Sequence, residues 1–329
     1  MAYENGIDAA FVKQYGKTLD LVAETKGGKF VGLGLEGTIQ GEEAYYDQLG
    51  STFAAEVAAG TSGDANGMDS PDGSISHLRR KLVASNYEVG LMLDRFDKVQ
   101  TLINPESEYV QRQVSALMRK KDIEFIKGAL GTAATGKAGG GTPAKITNKI
   151  GTTVGDNKGL TIAKIREARA ILQKGGVDLD DPLNTAYLAV TPAQIEDLLG
   201  EEKATSADYM NVKALVAGSI DSFYGFKIVV SNLLPFVDTT AESNTGAAHL
   251  TWSASDVPAA VGSGEADVRG CFAWVKSGVR SATGMGIETD VAKRADRRFN
   301  YYAYSAMRCG SVRMEEEKVV LIGCDETID

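Results

Sequence analysis

One stretch of the chain dictates more about its fold than any other. Asn104 is of a type that caps helices, Pro105 suits the first helical position, and Glu106 and Glu108 sit where carboxylates meet the positive end of the helix dipole. The pattern predicts a helix over 105–130, and at about 1.5 Å per residue it spans about 39 Å. Val110, Val114 and Leu117 form one apolar stripe along it. Ile123, Ile126 and Leu130 form a second, about 140 to 220° round the axis. A helix that is apolar on two sides cannot rest on a single layer, so it needs neighbours on both.

The segments before it are of a different kind. Ile7, Phe11, Tyr15, Leu19 and Val22 mark a helix that Gly27 and Gly28 end. Val31, Leu33, Leu35 and Ile39 then alternate with Gly32, Gly34, Glu36 and Thr38, the pattern of a strand with one buried face. Residues 60–74 are almost pure turn chemistry, after which Val83, Tyr87, Val89, Leu91 and Leu93 resume a period of two. Together these predict one very long hairpin. Its ribbon has no third layer in its own subunit, and an isolated ribbon is marginal in water, so its apolar face is expected to bury against a neighbour.

After the long helix, residues 131–159 are rich in Gly, Thr, Lys and Asn and read as a boundary between subdomains. A mixed region follows. It holds a helix over 161–174 with Ile162, Ile165, Ala168 and Leu172 inward and Gly175 and Gly176 as its stop, then a strand over 185–191. Thr191, Pro192 and Gln194 spell a capping box for the next helix. A helix near 207–217, strands over 223–231 and 271–280, and alternation through the last 40 residues complete the chain.

Composition narrows the function classes. There are 37 glycines in 329 residues, about 11 % against an average of about 7 %, which favours turns and bulges over a helical bundle. Thirty-five basic and 44 acidic residues leave a net charge of −9, which disfavours capture of nucleic acid by overall charge. Cys271, Cys309 and Cys324 are widely spaced with no C-x-x-C, so a reducing compartment fits and neither a disulfide framework nor a zinc ribbon is supported. The first residues have no basic start followed by an apolar run, and no stretch approaches 18 apolar residues. A signal peptide, a membrane span and a membrane partner are not expected.

Several motifs invite a chemical reading that their context refuses. Gly32, Gly34 and Gly37 have the spacing of a dinucleotide fingerprint, but no helix opens after Gly37, so small residues on an exposed strand face are the simpler account. Gly131 to Lys137 (GTAATGK) resembles a phosphate-binding loop, yet Ala138 stands where Ser or Thr must hold magnesium and a helix precedes it where a strand should. Asp64, Asn66, Asp69 and Asp72 lack the calcium-loop ligands at Met68 and at the twelfth position. His77 and His249 are isolated. No catalytic, cofactor-binding or metal residue is therefore named, and no cofactor is expected. Three basic clusters remain: Arg79, Arg80 and Lys81; Arg119, Lys120 and Lys121; and Lys293, Arg294, Arg297 and Arg298 beside Phe299, Tyr301 and Tyr302. The last mixes basic and aromatic residues as nucleic-acid surfaces do, but pairing with acidic residues of another subunit, such as Glu315, Glu316 or Glu317, is favoured.

Taken together the segments resemble the tailed-bacteriophage major capsid protein family of the Hong Kong 97-type fold. The stretches that carry this are FVKQYG at 11–16, YYDQLG at 45–50, YEVGLMLDRFDKVQTLINPESEYVQ at 87–111 and LTIAKIREARAIL at 160–172. AVTPAQIEDLL at 189–199, TSADYMNVKALVAGSIDSFYGFKIVVSN at 205–232, CFAWVKSGV at 271–279 and RMEEEKVV at 313–320 continue it. The resemblance implies an α+β fold with an N-terminal arm (1–28), an extended loop (29–94), a peripheral domain (95–159 and 285–329) carrying a spine helix over 105–130, and an axial domain (160–284).

It further implies a structural protein without enzymatic activity, found in the virion capsid and assembled in the host bacterial cytoplasm. Its copies would form pentamers and hexamers of an icosahedral shell around double-stranded DNA, with a portal protein as partner. Only about 28 residues precede the hairpin, against roughly a hundred more in members with a fused scaffold, so a separate scaffolding protein is expected. The hairpin tip at 60–74 has no lysine, so no covalent lysine–asparagine cross-linking is expected. Two other classes stay open on sequence alone: a bacterial nanocompartment shell of the same fold, and a nucleotide-dependent enzyme using Lys137.

Overall fold

Residues Glu106–Leu130 form one unbroken helix, α1, in the computed structural model, which describes residues 26–50, 52, 75–93, 106–154, 159–181, 184–200, 222–237 and 268–326. The expected helices over 7–24 and 207–217, the cap at Asn104 and Pro105, and the acidic cluster at 64–72 lie outside these residues. The described chain divides into two compact units. One comprises 26–28, 86–93, 106–121 and 285–308; the other comprises the rest. The boundary between Lys121 and Asp122 falls between the two stripes of α1. Each stripe thus serves its own unit.

In the first unit, Leu117 is buried and the Gln113 amide is satisfied at both ends. Its Nε2 donates to the Ala303 carbonyl at 3.0 Å and its Oε1 accepts from the Ser305 hydroxyl at 2.8 Å. Gly27 approaches α1 so closely that a Cβ there would overlap the Met118–Arg119 backbone, so only glycine fits. The strands β1 (Leu35–Thr38), β4 (Ser85–Leu93), β11 (Val279–Arg294) and β12 (Asn300–Arg313) form a sheet in the order β1-β11-β12-β4, whose β1–β11 pairing, Leu35↔Arg280 to Thr38↔Thr283, belongs to the second unit.

The second unit is built on a six-stranded mixed sheet. Its strands are β6 (Lys149–Ile150), β7 (Ala186–Val190), β8 (Ser222–Phe223), β9 (Phe226–Val230), β10 (Val268–Val275) and β13 (Val319–Asp325), in the order β6-β13-β10-β7-β9-β8. Every residue of β7 is buried, and so are nearly all of β10 and β13, as expected of strands covered on both faces. Helices α2 (Ile162–Lys174) and α3 (Pro192–Gly200) flank it in sequence. Phe30, Phe125, Phe272, Tyr187 and Trp274 form an aromatic cluster with ring centroids 4.7 to 6.2 Å apart, and the Trp274 indole donates to the Leu33 carbonyl at 3.1 Å. Such pairs add about 0.5–1.5 kcal/mol each beyond area burial.

Several local expectations are corrected. The strand read over 31–39 begins only at Leu35. Before it the Asp122 carboxylate accepts the backbone N–H groups of Lys29 and Phe30 at 3.1 and 3.2 Å, and Gly32 at φ 80° turns the chain. Phe30 is buried in place of Val31. The strand read over 223–231 is a hairpin, because Tyr224 and Gly225 both have positive φ (48° and 82°) and reverse the chain between β8 and β9. A one-turn 3₁₀ helix at Lys276–Gly278 divides the strand read over 271–280. Thr191 and Gln194 do not form a capping box. The Thr191 hydroxyl donates to Glu326 at 2.5 Å and Gln194 Nε2 reaches the same oxygen at 3.5 Å, while Arg269 grips the other carboxylate oxygen. A carboxylate far along the chain takes the place of the local glutamine.

On α2, Ile165, Ala168 and Leu172 are buried as expected, but so is Lys164, with no exposed surface. Its ammonium donates to the carbonyls of Gly159 (2.6 Å) and Gly323 (3.1 Å). Burial lowers its pKa from the ordinary 10.5, so the folded state holds this proton less tightly than the unfolded chain. Stability contributed by this group is lost as pH falls from 10.5 through the folded pKa and is regained as pH rises. Lys164→Met removes the titration: the stability difference between wild type and variant, read from urea melts across the alkaline range, shifts toward the wild type as pH rises, and a pH-independent difference would contradict it.

Candidate functional site

The third sheet holds the hairpin. Strands β2 (Glu43–Leu49) and β3 (His77–Val83) pair antiparallel from Glu43↔Val83 to Leu49↔His77, and β5 (Ala134–Thr135) joins the other flank of β3. The expected hairpin is present, but its legs differ from those read in the sequence. Residues 35–38 pair with β11, and β4 joins the sheet of β12, with buried Ala84 as the break between β3 and β4. Alternation identified strands without identifying their partners. The ribbon also has a third strand, β5, and, against the expectation that no layer of its own subunit covers it, one of its faces packs on a core of the same chain.

The two faces of the ribbon have different fates. Ala44, Tyr46 and Leu82 pack on a small core with Ile39, Ala84, Ala133, Ala282, Val312 and Met314, and Arg280 lies over the Tyr46 ring at 4.4 Å. The opposite face carries charge pairs. Arg79 binds Asp47 through two hydrogen bonds of 2.5 and 3.0 Å, Lys81 pairs with Glu43, and the Tyr45 hydroxyl donates to Glu43 at 2.7 Å. The Lys81 ammonium, then the Tyr45 hydroxyl, hold the Glu43 carboxyl below its ordinary value, and the Arg79 guanidinium does the same to Asp47. On the same face Leu49 and Val83 are more than half exposed (68 and 51 %), and Leu78, opposite Gln48 on the other face, is 50 % exposed.

The ladder also fixes which backbone groups are spare. Gly50 N–H donates to Ser76 O and Ala84 N–H to Glu42 O, so the even residues of β2 bond to β3. Glu43, Tyr45, Asp47 and Leu49 therefore aim their N–H and C=O groups at the outer edge, where among the described residues no strand pairs with β2. Such an edge is a template for another chain.

The root of the hairpin is ionic and buried. Arg80 donates to the Met314 carbonyl (2.9 Å) and to Glu316 (2.6 Å). Arg313, with no exposed side-chain surface, lies 3.6 Å from the other Glu316 oxygen and donates to the carbonyls of Ala129 (2.7 Å), Gly131 (2.8 Å) and Ala144 (2.9 Å). Ala129 lies in the last turn of α1, and Gly131, whose N–H donates to the Lys127 carbonyl, follows its end. Burial lowers the Arg313 pKa and the Glu316 charge opposes the shift. Sequence reasoning named Glu316 and Arg80 but missed Arg313, whose only signal is an arginine inside an alternating apolar run.

The other singled-out residues separate. GLGLEG leads into β1 and no helix follows, so the dinucleotide reading ends there; Gly34 instead packs under the Phe125 ring and the Val279 carbonyl. Lys137 sits on a turn after β5, in a cleft of about 520 Å³ lined also by Asp47, His77, Arg79 and Thr135, with no helix N-terminus to cradle a phosphate. The three cysteines are buried and in no disulfide, and no cluster of metal-binding side chains occurs among the described residues. His249 lies outside the described residues. Lys120 covers the Tyr87 ring at 4.9 Å. Glu315 and Glu316, expected to pair with another subunit, are taken within the chain by Lys318 and by Arg80 and Arg313. Glu316→Gln leaves Arg313 buried beside a neutral group and costs about 3–5 kcal/mol in urea unfolding of the unassembled subunit, whereas Lys318→Ala, which breaks a more exposed pair, costs about 0–1 kcal/mol.

Known proteins show the same architecture. A family model for phage capsid proteins matches residues 7–326. A comparison with curated protein sequences returned no match. The head structure of Helicobacter pylori bacteriophage KHP40 is similar with TM-score 0.71 at 12% identity, over 99% of this chain and 99% of that one. The capsid asymmetric unit of cyanophage Pam1 is similar at TM-score 0.70 and 13% identity, over 100% of both chains. The capsid of cyanophage P-SCSP1u follows at TM-score 0.66 and 17% identity, over 98% of this chain and 95% of that one. At these identities the structures speak for the fold, and the family model for membership. The chain belongs to the phage capsid protein family: it is a structural major capsid protein of the Hong Kong 97-type α+β fold, which self-assembles into the capsid shell of a virion.

Proposed function

We propose that copies of this chain join as pentamers and hexamers into an icosahedral shell enclosing double-stranded DNA, with the β2–β3 hairpin as the clasp between neighbours. The observation that carries this reading is the outer edge of β2, with its spare backbone groups at Glu43, Tyr45, Asp47 and Leu49 and its exposed Leu49. Its root is held by buried ion pairs, so the clasp is presented stiffly. A stiff edge loses less freedom on docking than a floppy one.

The remaining parts of the reading follow from the family. A separate scaffolding protein and a portal protein are its partners, assembly takes place in the host bacterial cytoplasm, and the chain performs no catalysis. Its division into an arm (1–28), an extended loop (29–94), a peripheral domain (95–159 and 285–329) and an axial domain (160–284) is the working map. The six-stranded sheet takes β6 and β13 from outside 160–284, so the axial domain shares its sheet with the peripheral segments.

Replacing residues 49–77 by Asn-Gly removes Leu49 and all of the hairpin beyond it. Tyr45→Pro with Asp47→Pro in the same chain removes two outward N–H groups of the β2 edge without touching its bonds to β3, so that together the changes test the clasp. Gln48↔Leu78 then closes a two-residue turn as a hydrogen-bonded pair, and Arg80 and Leu82 keep their places. The unassembled subunit should melt cooperatively near the wild-type temperature by circular dichroism, while electron microscopy of material expressed with its scaffold shows no closed shells. Shells at wild-type yield would sink the clasp, and loss of the cooperative melt would make the removed segment part of the subunit core.

A further inference from the structure

The far ends of β11 and β12 form a second projecting ribbon. From Glu288 to Arg294 every side chain of β11 is exposed, and a 3₁₀ turn at Ala295–Arg297 leads to Arg298 and Phe299, both left-handed with φ 54° and 59°. Two consecutive non-glycine residues in that region are strained, and strain of this kind collects where a structure presents a functional group. Here the group presented is Phe299, 58 % exposed, with its N–H fixed to the Arg294 carbonyl at 2.9 Å.

Its surroundings are ordered and cationic. Lys293, Arg294, Arg297 and Arg298 stand within six residues with a single carboxylate, Asp296, on a chain of net charge −9. Arg294 binds Asp296 at 2.6 and 3.0 Å and lies over the Tyr302 ring at 5.4 Å, and Lys293 covers Tyr301 at 5.2 Å. Arg297 and Arg298 hydrogen-bond no carboxylate among the described residues. The tyrosine faces that could stack on bases are thus taken by cations, which speaks against a nucleic-acid surface. One exposed aromatic ringed by cations, on a chain of net charge −9, matches an anchor for protein.

We propose that this tip is a docking knob for a second copy of the chain: Phe299 enters an apolar recess of the neighbour, and Arg297 and Arg298 meet carboxylates on its rim. The knob rests on the assembly reading above but uses a contact separate from the β2–β3 clasp.

The test places benzoylphenylalanine, a photo-crosslinker, at position 299 in assembled shells and compares Phe299→Ala and Phe299→Leu. Irradiation should join two copies of the chain. Phe299→Ala should leave the melt of the unassembled subunit unchanged and lower the yield of closed shells by about tenfold, with Phe299→Leu restoring most of it. Cross-links to DNA, to a scaffold or to nothing would overturn the knob, as would wild-type shell yield from Phe299→Ala; in those cases shells exist and the capsid reading stands. A lost subunit melt in both variants would show Phe299 to be a core residue and overturn it too. If the wild-type chain forms no shells at all, the assembly reading fails and the knob fails with it.

Discussion

Glu316 stands between two guanidinium groups, and the organisation of the second unit depends on that arrangement. Arg313 is fully buried, and a buried cation is costly unless it is paired and its donors are satisfied. The structure meets the first condition and most of the second: Glu316 supplies the charge, the carbonyls of Ala129, Gly131 and Ala144 take the terminal N–H donors, and Nε faces Glu316 at 3.6 Å without a hydrogen bond. Each acceptor belongs to a different need. Two carbonyls lie at the end of α1, one anchors the excursion after it, and Glu316 is shared with Arg80 on the hairpin. One carboxylate therefore ties the end of the spine helix, the strand beside it and the root of the projecting ribbon. Oriented charges also make this a specific joint, since an apolar replacement would hold these elements together without fixing their register.

What could be read from the sequence divides along a physical line. Features encoded by nearby residues were legible: α1 from its two stripes, α2 from Ile165, Ala168 and Leu172, and β3 and β4 from their alternation. Features decided by distant residues were not. The backbone at Lys29 and Phe30 bends to meet Asp122, the α3 terminus takes Glu326 in place of Gln194, and Lys164 turns inward because two carbonyls await it. Alternation marks a strand but says nothing of its neighbour, which is why 31–39 and 83–93 read as one ribbon although Leu35–Thr38 and Ser85–Leu93 belong to the sheet of β11 and β12.

The candidate site shows the same division. Its basic and acidic residues were visible as clusters, but the pairs they form were not. Glu316 looked available to another subunit because three glutamates in a row suggest a solvated face, whereas one of the three is fastened between Arg80 and Arg313. The residues left over, Leu49 on one ribbon and Phe299 on the other, carry no charge and attract no motif search. In a protein that works by meeting copies of itself, the informative residues are those the subunit leaves uncovered.

The order of strands in the six-stranded sheet has a consequence for timing. β13 lies between β6 and β10, and its residues follow every other strand of that sheet in the chain. While a ribosome is still adding residues before 319, β10 lacks one neighbour and β6, among the described residues, has none, so the sheet is not closed. Contacts of such long sequence separation form late and slowly. A half-made chain thus cannot present a finished subunit to a growing shell, and polymerisation is restricted to chains that have been read through at least to residue 325.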